Sequence, residues 1–567
     1  MSDAYAESAH SDVPDAPLSH REIVTILIGL MLGMFLAALD QTIVASAMRV
    51  IADDLHNLAG QAWVTTAYLI TSTVATPLYG KLSDIYGRKK FFIFAITIFT
   101  IGSLLCTFAW SVPALAGFRA IQGVGAGGLF SLALAIIGDI VPHRERARYQ
   151  GYFLAVFGTS SVFGPVIGGF FAGRDNLLGI AGWRWVFLVN VPIAVVALIV
   201  VTRTLHLRHT RLDHRIDYWG AIALSVGIVP LLIVAEQGRE WGWSSPTALV
   251  CYAIGAVGFI SGFFIERHMG EEALLPLRLF TNPTIRAASI ASIFIGMGMF
   301  GGLAALPLYL QIVKGATPTE AGLMLLPMTL GIMTGSITSG ITISKTGRYR
   351  RFPLIGAILL VGALFVFHYV DADTPLWKTM IVMVFFGLGL GYNFQPLTLA
   401  VQNAVDRRDI GVATSSATFT RQIGGTLGTA VFLSILFSRA AEKIPAAFAR
   451  IAPTPEFQAA LRNPTGGDPA VNRQFIQQVA AARQSGSTSG VGGTALSDSS
   501  FIQRLDPRLA RPFLVGFADS MQSVFLVASG VLVLAVIATL FLPHVDLGPS
   551  PRAKGAQPAE EPVLPAH

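Results

Sequence analysis

The feature that most constrains this chain is the repetition of apolar blocks about twenty residues long, the length that crosses a hydrocarbon core of roughly 30 Å at 1.5 Å of helix rise per residue. A backbone held in lipid must satisfy its own hydrogen bonds, so blocks of this length read as helical membrane spans. Composition agrees. Of 567 residues, 53% are hydrophobic and only 13% charged, against roughly 25% charged in ordinary soluble domains.

The expected fold class is all-α and polytopic, with spans over Ile23–Ala47, Trp63–Tyr79, Phe91–Phe108, Val112–Ile140, Tyr149–Phe171 and Trp185–Val201 as a group of six. Tyr218–Val234 and Ala248–Phe264 form a separate pair. Ala287–Ile312, Ala321–Ile343, Phe352–Val370, Met380–Val401, Gly411–Phe437 and Phe513–Leu542 complete a total of fourteen. The net charge of +7 is not gathered into one patch, which argues against a nucleic-acid partner. With the N-terminus inside, the six short inner loops carry 20 Lys and Arg residues and the six short outer loops about six, which places both termini in the cytoplasm by the positive-inside rule. Met1–His20 has no basic start, apolar run or cleavage site, so it reads as a cytoplasmic tail. Cys106 and Cys251 lie in apolar blocks without CxxC or His partners, which speaks against a disulfide framework or a metal site.

A weak internal repeat divides the chain. WVTTAYLITSTVATPLYGKLSDIYGRKK from Trp63 is echoed by AGLMLLPMTLGIMTGSITSGITISKTGRYRR from Ala321, each a span ending in a Gly-initiated basic loop. Repeats of this kind build transporters whose substrate site lies near the midplane between two halves. The expected organisation is a cytoplasmic tail (1–22), a six-helix bundle (23–203) and a linker with two inserted helices (204–284). A second six-helix bundle (285–542) follows, with a long, partly ordered outer loop (438–512), then a second tail (543–567).

An ionised carboxylate in hydrocarbon costs several kcal/mol, by widely differing scales, unless it is paired, hydrated or protonated. Asp40, in GMFLAALDQTIVASAM, is such a residue. It is either an acid snorkelling to the interface or a functional group. Arg119 lies at similar depth in the fourth span, so the two can pair across helices, as a static bridge or as a poised proton site. In GKLSDIYGRKK (Gly80–Lys90), Gly80 and Gly87 permit close approach or unusual backbone angles, Asp84 can cap a facing helix, and Arg88, Lys89 and Lys90 set topology. RAIQGVGAGG (Arg119–Gly128) and GTSSVFGPVIGG (Gly158–Gly169) place small residues along helices, with Gly164 and Pro165 at the bend.

These three motifs resemble, respectively, the loop between the second and third helices, the proton-linked fourth helix and the antiporter motif of the fifth helix of major facilitator proteins. LDQTIVASAM, WRWVFLVNVP, LPLYLQIVKGATPTEAG and TRQIGGTLG are similar to the fourteen-helix drug:proton antiporter family of the QacA and EmrB type. The likeness covers most of Ile23–Phe437 and the final helix. It implies a major facilitator fold, two six-helix bundles plus two inserted helices, in a bacterial cytoplasmic (inner) membrane. It also implies proton-coupled export of amphipathic or hydrophobic compounds without a cofactor. Asp40 and Arg119 would then couple protons, while Gly80, Asp84, Gly87, Arg88, Gly164 and Pro165 would serve gating. Tyr68, Phe157, Tyr309, Gln311, Tyr392, Asn393, Phe394, Gln395 and Arg421 are candidates for an amphipathic pocket. Arg421 either faces the cavity or pairs with an acid or a helix carbonyl.

The chain departs from the family pattern in Ala45–Arg49 and in its long segment after Phe437. The latter leaves room for a periplasmic partner or for export of a lipid or cell-envelope precursor. Membrane lipid, an amphipathic small molecule and protons are the other expected partners. A non-transporting receptor or enzyme is the alternative outside transport. The chain carries no Walker loop, no HExxH and no supported Ser-His-Asp arrangement.

Overall fold

The computed structural model describes residues 20–55, 61–141, 143–174, 176–205, 217–406, 409–485 and 501–543. The first bundle contains α1 (His20–Asp54), α2 (Gln61–Tyr86), α3 (Arg88–Thr107), α4 (Val112–Ile140), α5 (His143–Ala172) and α6 (Asn190–Thr204). Then come the pair α7 (Tyr218–Trp241) and α8 (Pro246–Met269). The second bundle contains α9 (Pro283–Leu308), the short α10 (Pro318–Met324), α11 (Leu326–Thr346), α12 (Arg351–Phe367), α13 (Leu376–Asn403) and α14 (Ile410–Ile451). Helices α15 (Pro455–Arg462) and α16 (Pro469–Ser485) follow, and α17 (Pro507–Leu540) completes the second bundle. The only sheet among the described residues is a two-stranded antiparallel hairpin before α6, Asn176–Leu177 with Ile180–Ala181.

Helix starts follow local chemistry. Ser111 accepts from the Ala114 amide with Pro113 in the first turn of α4, and Ser245 caps α8 in the same way. Thr317 and Glu320 form a reciprocal capping box on α10. Outward faces are apolar: Leu249, Val257, Ile260 and Phe264 on α8 are all exposed, a surface that lipid satisfies and water does not. Ten helices among the described residues are long and apolar enough to cross a membrane, and Tyr218–Val234 and Arg351–Phe367 are shorter apolar helices. The two further expected spans, Trp63–Tyr79 and Tyr149–Phe171, lie on α2 and α5, long helices that are more polar and line the join between the bundles.

The two bundles repeat one packing scheme. In the first, α1 packs on α5 and α6, α2 on α4, and α3 on α4 and α6. In the second, α9 packs on α14 and α17, α11 on α13, and α12 on α13 and α17. Equivalent helices also make the join, α2 against α14 and α5 against α11. The pseudo-symmetry is that of an internally duplicated transporter. Helices α7 and α8 pack on each other, with α7 also touching α2 and α14.

In the described parts of the segment 438–512, residues 438–485 and 501–512, the structure departs from the expectation of a partly ordered loop, and 486–500 lie outside the described residues. Helix α14 continues past Phe437 to Ile451, burying Ala440, Ile444, Ala447 and Phe448. This stripe recurs at helical period, and its polar opposite face hides it from an average of hydropathy. Phe448, Phe475 and Phe501 surround Phe513, and α17 begins at Pro507 rather than Phe513. Asp506 ties the cap together. Its carboxylate accepts from the Thr465 and Gly466 amides at 2.8 and 3.1 Å and from Arg508, while its own amide donates to Asn472.

Candidate functional site

Asp40 is fully buried in the first bundle. Its Oδ2 accepts from Nη1 of Arg119 at 2.5 Å, and its Oδ1 accepts from Nε2 of Gln122 at 2.9 Å and Nδ2 of Asn190 at 2.8 Å. Gln122 stands one turn beyond Arg119 on α4, so one helix face delivers both donors. Arg119 also donates to Oε1 of Gln122 at 2.7 Å, and its guanidinium lies 4.0 Å above the Tyr68 ring. Asn190, the first residue of α6, donates as well to Oγ of Ser103 on α3, which donates to the Phe187 carbonyl. Five helices, α1, α2, α3, α4 and α6, thus contribute to one cluster, with α4 and α6 donating to the carboxylate itself. The guanidinium and two amides supply three donors to one buried carboxylate. Nε of Arg119 and Oδ1 of Asn190 have no partner, so the cluster holds spare hydrogen-bonding capacity.

A second cluster sits at the end of the molecule that bears the Gly80–Lys90 loop. Oδ2 of Asp84 accepts from the Val412 amide at 3.0 Å, so an acid from the first bundle caps α14 of the second. Arg88 pairs with Asp84, pairs with Asp139 at 2.8 Å and donates to Ser83 at 2.6 Å. Gly87 has φ of 102°, a left-handed angle that suits glycine between α2 and α3. A Cβ on Gly80 would overlap the Ser415 hydroxyl, so the bundles meet there at backbone distance. Nε2 of Gln402 donates to the Leu134 carbonyl at 3.0 Å and Nη1 of Arg146 to Asn403 at 3.3 Å, which closes this end further.

Helix α5 carries contacts from beside the first cluster to the second bundle. Gly164 presses against Thr42, whose hydroxyl donates to the Ser160 carbonyl at 3.0 Å, and Pro165 packs on Gly322 of α10. The turn after Asp40 is thus coupled through α5 to the second bundle.

The candidate pocket residues do not converge on one place. Tyr68 belongs to the Asp40 cluster. The Tyr309 hydroxyl donates to the Asp371 carbonyl, and the Gln311 carbonyl accepts from Gln503 of the cap. Tyr392 packs on Phe352, and Asn393 donates to Gly389 of its own helix. Phe394 and Arg421 do meet, at 4.3 Å from guanidinium to ring centroid. The Phe157 side chain lies outside the described residues. Glu320 caps α10, and Asp519 pairs with Arg450. Gln122, Asn190, Ser103 and Asp139 complete the two clusters and were not singled out in the sequence. A lone Asn or Gln within an apolar span is the signal that finds the first two.

The chain matches the Major Facilitator Superfamily over residues 30–429. Multidrug transporter protein MdtP of Bacillus subtilis (strain 168) is 32% identical over 530 residues, covering 92% of this chain and 94% of that protein. Multidrug resistance protein 3 of the same organism is 37% identical over 426 residues, covering 75% of this chain and 81% of the relative. A solved structure of the proton:xylose symporter XylE bound to 6-bromo-6-deoxy-D-glucose superposes with a TM-score of 0.57 at 14% identity, over 93% of this chain and 97% of that one.

Proposed function

This chain belongs to the Major Facilitator Superfamily, and from that premise we propose that it is a proton-coupled exporter of amphipathic or hydrophobic compounds, a multidrug efflux protein. The observation that carries the reading is the buried carboxylate of Asp40, held by Arg119, Gln122 and Asn190 in the core of a bundle whose outer faces are apolar. Purely structural packing gains little from such a group, because desolvating an ion pair offsets most of its attraction. A transporter gains a site that a proton neutralises. The names of MdtP and of multidrug resistance protein 3 add weight to efflux of drugs.

In this reading fourteen spans cross a bacterial cytoplasmic membrane with both termini inside, and the proton gradient supplies the driving force without a cofactor. Protonation of Asp40 weakens its hold on Arg119, and the change passes from Thr42 through α5 to the second bundle. Asp84 at the start of α14 then acts as the latch of the cytoplasmic gate. Selective stabilisation of one state by the proton is what makes the exchange productive. Export of a lipid or cell-envelope precursor is a second reading. The helical cap built from 438–485 and 501–506 favours it, because it offers an ordered surface at the outer mouth to a large substrate or a periplasmic partner.

The test is transport by purified protein in liposomes under an imposed pH gradient, with a panel of lipophilic dyes, drugs and fluorescent lipids. The reading expects gradient-driven movement of at least one, abolished by a protonophore. An enzyme or receptor moves none.

A further inference from the structure

Among the described residues, Arg421 is a buried arginine whose charge the Asp40 and Asp84 clusters leave unexplained. It sits within α14, is 7% exposed, and rests its guanidinium 4.3 Å above the Phe394 ring. Among the described residues no carboxylate lies against it and no hydrogen bond to its guanidinium is present. Every other deeply buried Arg described here is matched: Arg119 by Asp40, Arg88 by Asp84 and Asp139, Arg146 by the Val141 carbonyl and Asn403.

The surroundings are those of a binding position. Gln402 of α13 meets Thr414 of α14, and two helical turns further along each antiparallel helix stand Gln395 and Arg421 at one level. Gln395 is 3% exposed, and both its side-chain oxygen and its nitrogen lack partners. Next along α14, Gln422 accepts from Thr76 of α2, so this level also lies at the join of the two bundles. Against α9, Gly296 lets the Arg421 backbone approach closely, which leaves the side chain to project toward α13. A cation without a counter-charge and an unpartnered amide thus stand at one level in the interior of the molecule.

We propose that Arg421 and Gln395 form the recognition point for an oxyanion, a carboxylate in the simplest case, on the amphipathic molecule that the protein exports. This inference rests on the exporter reading. Arg keeps its charge inside a protein, and a bound anion offsets the cost of the buried guanidinium directly. With one face of the guanidinium on Phe394, its edge remains to donate two parallel N–H bonds, the geometry that matches a carboxylate. Phe394 supplies the apolar contact for the body of the same molecule. The Gln395 amide donates to the oxyanion or accepts from a neighbouring hydroxyl.

The full-length protein in lipid nanodiscs is titrated with 11-(dansylamino)undecanoate and with its methyl ester, subtracting protein-free nanodiscs. The acid is expected to bind at least tenfold more tightly than the ester. Arg421→Gln removes that preference and leaves ester affinity unchanged, whereas Arg421→Lys keeps part of it. Equal affinity for acid and ester, binding of neither, or a preference that survives Arg421→Gln overturns the proposal. If Arg421→Gln fails to fold by gel filtration, the acid-to-ester ratio of the unsubstituted protein and of Arg421→Lys decides. Gradient-driven movement of ethidium in proteoliposomes is measured in parallel. Movement without acid preference removes the anion site and leaves the exporter standing. Acid preference that depends on Arg421, with no gradient-driven movement of ethidium or dansyl probe, removes the exporter and leaves the site.

Discussion

At the scale of single residues, the Asp40 cluster makes an energetic statement that substitution can read. Removing one partner of a buried ion pair costs about 3–5 kcal/mol because the other charge is left uncompensated, whereas removing both costs far less. Arg119→Gln should therefore lower the thermal midpoint markedly, and adding Asp40→Asn should recover much of the loss. A double variant no more stable than Arg119→Gln alone would show that the pair is not the source of the cost. Asp40→Asn by itself strands the Arg119 guanidinium and should also lower the midpoint, but it keeps side-chain shape and should leave the protein folded at ordinary temperature, with gradient-driven efflux abolished. Asp40 and Arg119 were legible in the sequence because ionisable groups stand out in apolar spans, and rise per residue put them at one depth. Gln122 and Asn190 were not, because a neutral amide in such a span is less conspicuous and its partner is known only once helices are packed.

At the scale of elements, the spans were readable wherever a helix is apolar all round, and least readable where it is amphipathic. That is why α14 and α17 extend beyond their expected ends at Phe437 and Phe513. The cap these extensions carry depends on Asp506, which is 1% exposed and is held well below the usual carboxylate range by Arg508 first and by the Arg508, Thr465 and Gly466 amides next. A depressed folded-state pKa contributes stability that is present above the unfolded value of about 3.9 and is lost as pH falls toward the folded value. Protection factors, which remove the intrinsic pH dependence of amide exchange, should thus be unchanged across 455–485 and 501–506 from pH 7 to about 5 and fall below about 4. Asp506→Ala should loosen the cap at neutral pH by about 1.5–3 kcal/mol, the worth of hydrogen bonds to a charged group, and make its protection insensitive to acid. Unchanged exchange in that variant would remove Asp506 from its structural role.

At the scale of the whole molecule, two bundles packed by one scheme meet through equivalent helices, and a duplicated sequence from Trp63 and Ala321 foreshadowed that symmetry. What the duplication did not reveal is which end is shut, since that depends on contacts between distant segments such as Asp84 with Val412 and Gln402 with Leu134. Asp84→Ala removes the cap on α14 and should shift the population toward a state open at the basic-loop end. A Cys at Ser415, 1% exposed in the closed join, should then react several-fold faster with a maleimide than in the parent. Unaltered labelling would show that Asp84 is no latch.

The central claim is that a proton on Asp40 drives substrate across the membrane. Its most direct test reconstitutes the unsubstituted protein, Asp40→Asn and Arg119→Gln in liposomes and follows proton flux and dye movement together after a pH jump. The account predicts coupled, protonophore-sensitive flux of both for the unsubstituted protein and neither for Asp40→Asn. Full proton-coupled transport by Asp40→Asn would contradict it.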